Sequence, residues 1–132
     1  MQDGAGLTLL AERINQAIDK ALESDDTAAY ARDLRLAVQR LVEVTAILWA
    51  AGDVSTTLAN STVYLEAAGH IVVAWMWLEQ LIAVSDHQGD FYDGKRAAAQ
   101  YFYAYELPKV GAQVDLLARL DRTTVEARAS WF

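Results

Sequence analysis

Residues 53–85 read DVSTTLANSTVYLEAAGHIVVAWMWLEQLIAVS, and the spacing of apolar side chains in this stretch decides the fold. Leu58, Leu65, Val72, Trp75 and Met76 form one stripe of a helix, while Tyr64, Ile71, Ala74, Leu78, Leu81 and Ile82 form another. The polar line Glu66, His70, Gln80 is interrupted by Val73 and Trp77. Asp53 or Ser55 can cap this helix, and an unbroken run to Ser85 would be about 45 Å long. A helix that is apolar on two sides requires neighbours on both, from its own bundle or from a second subunit. Gly69 sits inside it at a cost of about 1 kcal/mol relative to alanine, which predicts close approach of another backbone there. Gly94 and Gly111 fit a similar or capping role. From Asp53 to Gly89 the chain carries four acidic residues and no basic one.

Working outward, Leu7, Leu10, Ile14, Ala17, Ile18, Ala21 and Leu22 recur at spacings of three and four, so an amphipathic helix precedes the turn Ser24-Asp25-Asp26-Thr27. A second stripe follows at Leu34, Val38, Leu41, Val42, Thr45, Leu48 and Trp49, and Gly52 stands where a left-handed C-cap is expected. On the other side of the central stretch, Asp86-His87-Gln88-Gly89-Asp90 is a turn by composition. A fourth helix begins near Phe91 with Ala97, Ala98, Tyr101, Phe102, Ala104 and Tyr105 on its inner side. Pro108 predicts a kink or break, because it cannot donate to the carbonyl of Ala104 and its ring crowds that carbonyl. Val110, Val114, Leu117 and Leu120 then resume the stripe. Asp121-Arg122-Thr123-Thr124 reads as a turn and cap, with Thr123 and Glu126 in capping-box spacing. The fold class expected is all-α: an antiparallel four-helix bundle, up-down-up-down, with a short C-terminal helical tail. It forms a single domain over residues 1–132, with residues 1–6 read as a linker.

Composition narrows the function. The chain has 132 residues, 54% of them hydrophobic and 22% charged, which suits one self-sufficient core rather than a disordered chain. It has no cysteine, which excludes disulfides, thiolate metal sites and cysteine nucleophiles. Eighteen acidic residues against eleven basic ones give a net charge of −7, which a nucleic-acid backbone would repel. The longest apolar run, Ile71 to Leu78, falls short of the roughly 20 residues that a membrane-spanning helix needs. The N-terminus lacks the basic and apolar regions of a targeting signal, so a cytoplasmic location is expected.

Reactive constellations are sparse. A di-iron bundle needs carboxylates on facing helices and two Glu-x-x-His units, but the chain has two histidines and its nearest pair, Glu66 and His70, is four apart. That pair reads as a hydrogen-bonded or surface pair one turn apart. Neither a Ser-His-Asp motif nor a phosphate-cradling glycine loop is present. Tyr101-Phe102-Tyr103 with Tyr105 suits core packing better than a stacking platform, since successive residues point to different helix faces. Lys95, Arg96 and Lys109 suit a solvated face, or an ion pair to Glu106, better than an anionic cofactor. Trp131-Phe132 is costly in water and is expected to dock onto a surface. A pocket lined by Trp75, Trp77, Tyr101 and Tyr105, with Glu66 and His70 as polar anchors, stays open as a competing use. No catalytic, cofactor-binding or metal-ligating residue is assigned. Glu66, His70, Trp75, Trp77, Lys95, Tyr101 and Trp131 are the polar or interface candidates.

The stretch ANSTVYLEAAGHIVVAWMWL, residues 59–78, resembles a segment at the C-terminus of long bacterial acyl-CoA dehydrogenases. So does FYDGKRAAAQYF, residues 91–102, followed by Glu106-Leu107-Pro108-Lys109, and the opening Asp3-Gly4-Ala5-Gly6 is similar to the linker leading into that region. The resemblance implies the appended helical domain of an FAD-dependent enzyme that oxidises acyl-CoA thioesters to enoyl-CoA. In such enzymes a carboxylate takes the α-proton, hydride passes to the flavin, and electrons leave to an electron-transfer flavoprotein. It implies no catalytic residue in this chain, FAD only in the parent enzyme, and as partners the preceding catalytic domains or a second subunit in a homo-oligomer. The alternative is a free-standing helical homodimerisation or partner-binding module.

Overall fold

The computed structural model describes residues 5–132, and among them every regular element is helical. In chain order these are α1 (Ala5–Ala21), α2 (Asp25–Ala50), α3 (Val54–Leu58), α4 (Ser61–Ala83) and α5 (Asp90–Tyr101). There follow a π-helical turn (Phe102–Glu106), α6 (Lys109–Ala118), α7 (Thr123–Glu126) and a closing 3-10 turn (Ala129–Trp131). Helix α1 packs on α2 and α4, α6 packs on the same two helices, and α2 and α4 also meet each other. Of the residues read as a linker, 1–4 lie outside the described residues, and Ala5 and Gly6 belong to the first turn of α1.

The α1 stripe lands inside: Ile14, Ala17, Ile18 and Ala21 are buried, with Leu7, Leu10 and Leu22 packed at the edge of the core. Thr27, after the first turn, is buried because its hydroxyl donates to the carbonyl of Ala21 at 2.6 Å, tying α2 to the end of α1. Beyond Thr27, the buried set on α2 is Ala31, Leu34, Val38, Leu41, Val44, Thr45 and Leu48. Val42 and Trp49, expected on that stripe, are exposed. Each follows a buried residue by one position, which swings it about 100° around the axis and away from the core. Gly52 has φ +71°, the left-handed conformation expected of it.

The long third helix is interrupted. Helix α3 ends at Leu58, Asn60 adopts the non-helical pair φ −123°, ψ 39°, and α4 starts at Ser61. Side chains with competing hydrogen bonds surround the break. Thr57 donates to the carbonyl of Leu48 at 2.7 Å, and the Asn60 amide donates to the carbonyl of Asp121 at 2.9 Å. Asp53 caps α3, accepting from the Ser55 amide at 3.3 Å and the Thr56 hydroxyl at 2.8 Å.

The inner side of the fourth helix also differs from expectation. Ala99, Tyr103 and Leu107 are buried, whereas Ala97, Tyr101, Ala104 and Tyr105 face solvent. Ahead of Pro108 the chain widens into the π turn, with the Leu107 amide reaching the carbonyl of Phe102 at 2.9 Å. The expected break thus takes the form of a turn with one extra residue, and Tyr103, Leu107, Val110, Val114 and Leu117 form one buried line through and beyond it. The Tyr103 hydroxyl donates to the carbonyl of Ala74 at 2.7 Å, and its ring meets the edge of Tyr30 at 4.9 Å between centroids.

Candidate functional site

Glu66 and His70 sit one turn apart on α4, at the edge that meets α6, and their side chains take different partners. Nδ1 of His70 lies 2.9 Å from the backbone carbonyl of Glu66, while the Glu66 carboxylate accepts from the Gln113 amide at 3.1 Å. The carboxylate nearest the His70 ring is Glu106, with Nε2 to Oε1 at 4.0 Å. Phe102 lies against the same ring at 5.9 Å between centroids. Lys109 Nζ lies 2.5 Å from the Glu106 carboxylate. Donation from Lys109 holds the Glu106 carboxyl below its ordinary range, and Glu106 in turn raises Lys109 above its own. The π turn brings Glu106 here: it carries Glu106 and sets it one helical turn before Lys109. These contacts form a surface ion-pair network at the α4–α6 edge.

The remaining candidates are dispersed. The indole of Trp75 donates to Glu79 at 3.1 Å along α4, and Trp77 is half-buried at the border of the core. Tyr101 and Tyr105 stack on each other, centroids 4.6 Å apart, and both point to solvent. Lys95 donates to Gln80 at 3.0 Å and lies over the Phe91 ring, 5.2 Å from its centroid. Trp131 is 64% exposed, its ring 5.9 Å from the Arg128 guanidinium. Among the described residues no three His, Asp or Glu side chains gather as a metal site. No helix there is long and apolar enough to cross a membrane.

Two features were not singled out from the sequence. One is a cleft of about 300 Å³ between α2 and α6, lined by Leu36, Ala37, Tyr103, Leu107, Val110 and Val114. Its charged lining residues are Asp33 and Arg40, and Arg40 is already paired with Asp115 and Glu43. An apolar cleft with its cation engaged does not fit the diphosphate of a flavin dinucleotide. The other is a tie at the C-terminal end. Arg122 contacts Asp53 at 3.2 Å, the Thr56 hydroxyl and Glu126, and Thr124 donates to the carbonyl of Ala59 at 2.8 Å. The first amide of α7 is taken by Asp121 at 3.1 Å, so Asp121 rather than Thr123 supplies the cap. The Thr56 hydroxyl, the amides of Ser55 and Thr56, and then Arg122 hold the Asp53 carboxyl below its ordinary range.

The arrangement is therefore a helical body with ion pairs at its edges and a broad uncharged face. That face is the outer side of α4, opposite its buried line Ala67, Ile71, Ala74, Leu78 and Leu81. Here Leu65 is 68% and Met76 55% exposed. A family model described as acetyl-CoA dehydrogenase C-terminal like matches residues 10–128. The chain belongs to this family. The match runs from within α1 to just past α7, takes in the Arg122 tie, and stops short of Trp131. No curated protein and no solved structure matches the chain.

Proposed function

We propose that this chain is the non-catalytic C-terminal helical domain of an FAD-dependent acyl-CoA dehydrogenase-like enzyme, and that it packs against the preceding catalytic domains or joins subunits. The observation that carries this reading is the outer face of α4, where large apolar side chains stand in solvent on a helix whose opposite side is already in the core. Dispersed aromatics, self-paired charges and an apolar α2–α6 cleft support a role in packing more than one in catalysis. Flavin chemistry and acyl-CoA oxidation belong, in this reading, to the catalytic domains. The pairwise packing of α1, α2, α4 and α6 is compatible with an up-down bundle, which we take as the arrangement of the long segments.

The purified chain is expected to carry no flavin absorbance and to leave acyl-CoA thioesters unoxidised. It is expected to associate, either with itself in light scattering or with the catalytic domains supplied separately. A flavin-bearing preparation that turns over acyl-CoA overturns the non-catalytic part. A chain that stays monomeric and ignores the catalytic domains overturns the packing part.

A further inference from the structure

We infer that the cleft between α2 and α6 is a binding site for a small amphiphilic cation, an aromatic ring or short alkyl chain that carries an ammonium or amidinium group. The site stands apart from the packing role and needs no second polypeptide. Small residues line the notch from both sides, Ala37 on α2 and Gly111 on α6. A Cβ at Gly111 would meet nothing within 4 Å, so nothing of the same chain fills the space beside it. The floor is the buried line of Tyr103, Leu107, Val110 and Val114. Leu36 stands at the lip, 63% exposed, a large apolar side chain that a bound ring or chain would cover. A volume of about 300 Å³ is at the small end of ligand pockets, which suits one ring or a short chain.

The hydrogen-bond inventory of the walls decides the charge of the ligand. The Tyr103 hydroxyl is spent on the carbonyl of Ala74. The amides of Val110 and Gly111 donate to the carbonyls of Leu107 and Pro108 at 3.1 and 3.2 Å, and Pro108 has no amide hydrogen. Arg40 is held by Asp115 and Glu43. Asp33 is the lining side chain left uncommitted: it is exposed and has no ion-pair or hydrogen-bond partner among the described residues. Its carboxylate accepts and cannot donate.

The charges around the mouth point the same way. The carboxylates of Asp33, Glu43 and Asp115 share it with the single guanidinium of Arg40. Arg35 turns to Asp19 on the α1 side, and Arg32 leaves α2 about 100° round the axis from Asp33. The Asp33 charge also reaches the floor, where, after burial itself, it helps to hold the proton on the Tyr103 hydroxyl. An apolar body with a cationic head would fill the notch and pair with Asp33. A carboxylate or phosphate on the same body would be set among acids with no free donor to answer it.

Matched ligands test the site on the purified chain by amide NMR titration. Phenethylamine is expected to give saturable shifts confined to residues around Ala37, Gly111 and Val114. Hydrocinnamate, of similar shape and opposite charge, is expected to bind about tenfold more weakly. The net charge of −7 draws any cation loosely to this chain. Methylammonium is therefore the control: it carries the charge without the ring and is expected to give no saturable shift in the cleft. Asp33→Asn is expected to cut the amine affinity about tenfold and to erase its advantage over the carboxylate. Gly111→Leu is expected to abolish binding by filling the notch while keeping the helical circular dichroism, since its side chain enters open space on a helix. Equal affinity for phenethylamine and hydrocinnamate overturns the cationic assignment. Shifts that scatter over the acidic surface, match those of methylammonium, or survive both substitutions overturn the site itself.

Discussion

Tyr103 does more for this fold than its neighbours in the aromatic run. Its ring is buried against Tyr30, and its hydroxyl joins α4 through the carbonyl of Ala74. Burial pushes its hydroxyl well above the ordinary value of 10.0, with Asp33 adding to the shift. The folded chain therefore holds that proton more tightly than the unfolded chain does. Stability is insensitive to this group below about pH 10, where both states keep the proton, and falls above it as the unfolded state ionises. Tyr103→Phe should cost about 1 kcal/mol at neutral pH through the lost hydrogen bond, and denaturant unfolding should show a shallower alkaline decline than in the parent chain. Glu106 titrates in the opposite sense. Its lowered folded value means that its contribution is present above the ordinary carboxylate range and is lost as pH falls through that value. Glu106→Gln should flatten the acid limb of the same measurement.

At the scale of elements, the two glycines at Gly52 and Gly69 answer to different physics. Gly52 closes α2 at positive φ, so Gly52→Ala forces a side chain into a left-handed turn. It should lower stability by about 1 kcal/mol in thermal or denaturant unfolding. Gly69 is helical with open space around it, so Gly69→Ala should raise the stability of the folded chain by up to about 1 kcal/mol in the same measurement. The capped and tied junction at Asn60 accounts for the division of the expected long helix into α3 and α4. The competing side chains Thr57 and Asn60 are visible in the sequence. Their partners Leu48 and Asp121 are brought to them only by folding. Likewise Ala99, Tyr103, Leu107, Val110, Val114 and Leu117 are legible as a line at spacings of three and four. The same repeat started at Ala97 selects Tyr101 and Tyr105 instead, so periodicity leaves the phase of this helix open and packing decides it.

Across the whole molecule, α2 and α4 share the middle while α1 and α6 flank them, and the C-terminal tail is held by Arg122. Leu78 is fully buried where these helices meet, so Leu78→Ala should cost about 2 to 5 kcal/mol and lower the midpoint of a single cooperative transition. Arg122→Ala should leave that transition nearly in place. It should speed proteolysis within residues 119–132, because the ties to Asp53 and Thr56 hold α7 against the body.

The all-helical class, the turns at 24–27 and 86–90, the Gly52 cap, the Pro108 interruption and the two apolar sides of α4 follow from residue order alone. Each depends on local backbone preference or on periodicity along one segment. Which α4 side enters the core, which aromatic turns inward, and which carboxylate faces His70 were decided by tertiary structure. Those outcomes depend on which distant residues compete for the same space and the same hydrogen-bond donors, and a helix with two apolar sides carries no internal preference between them.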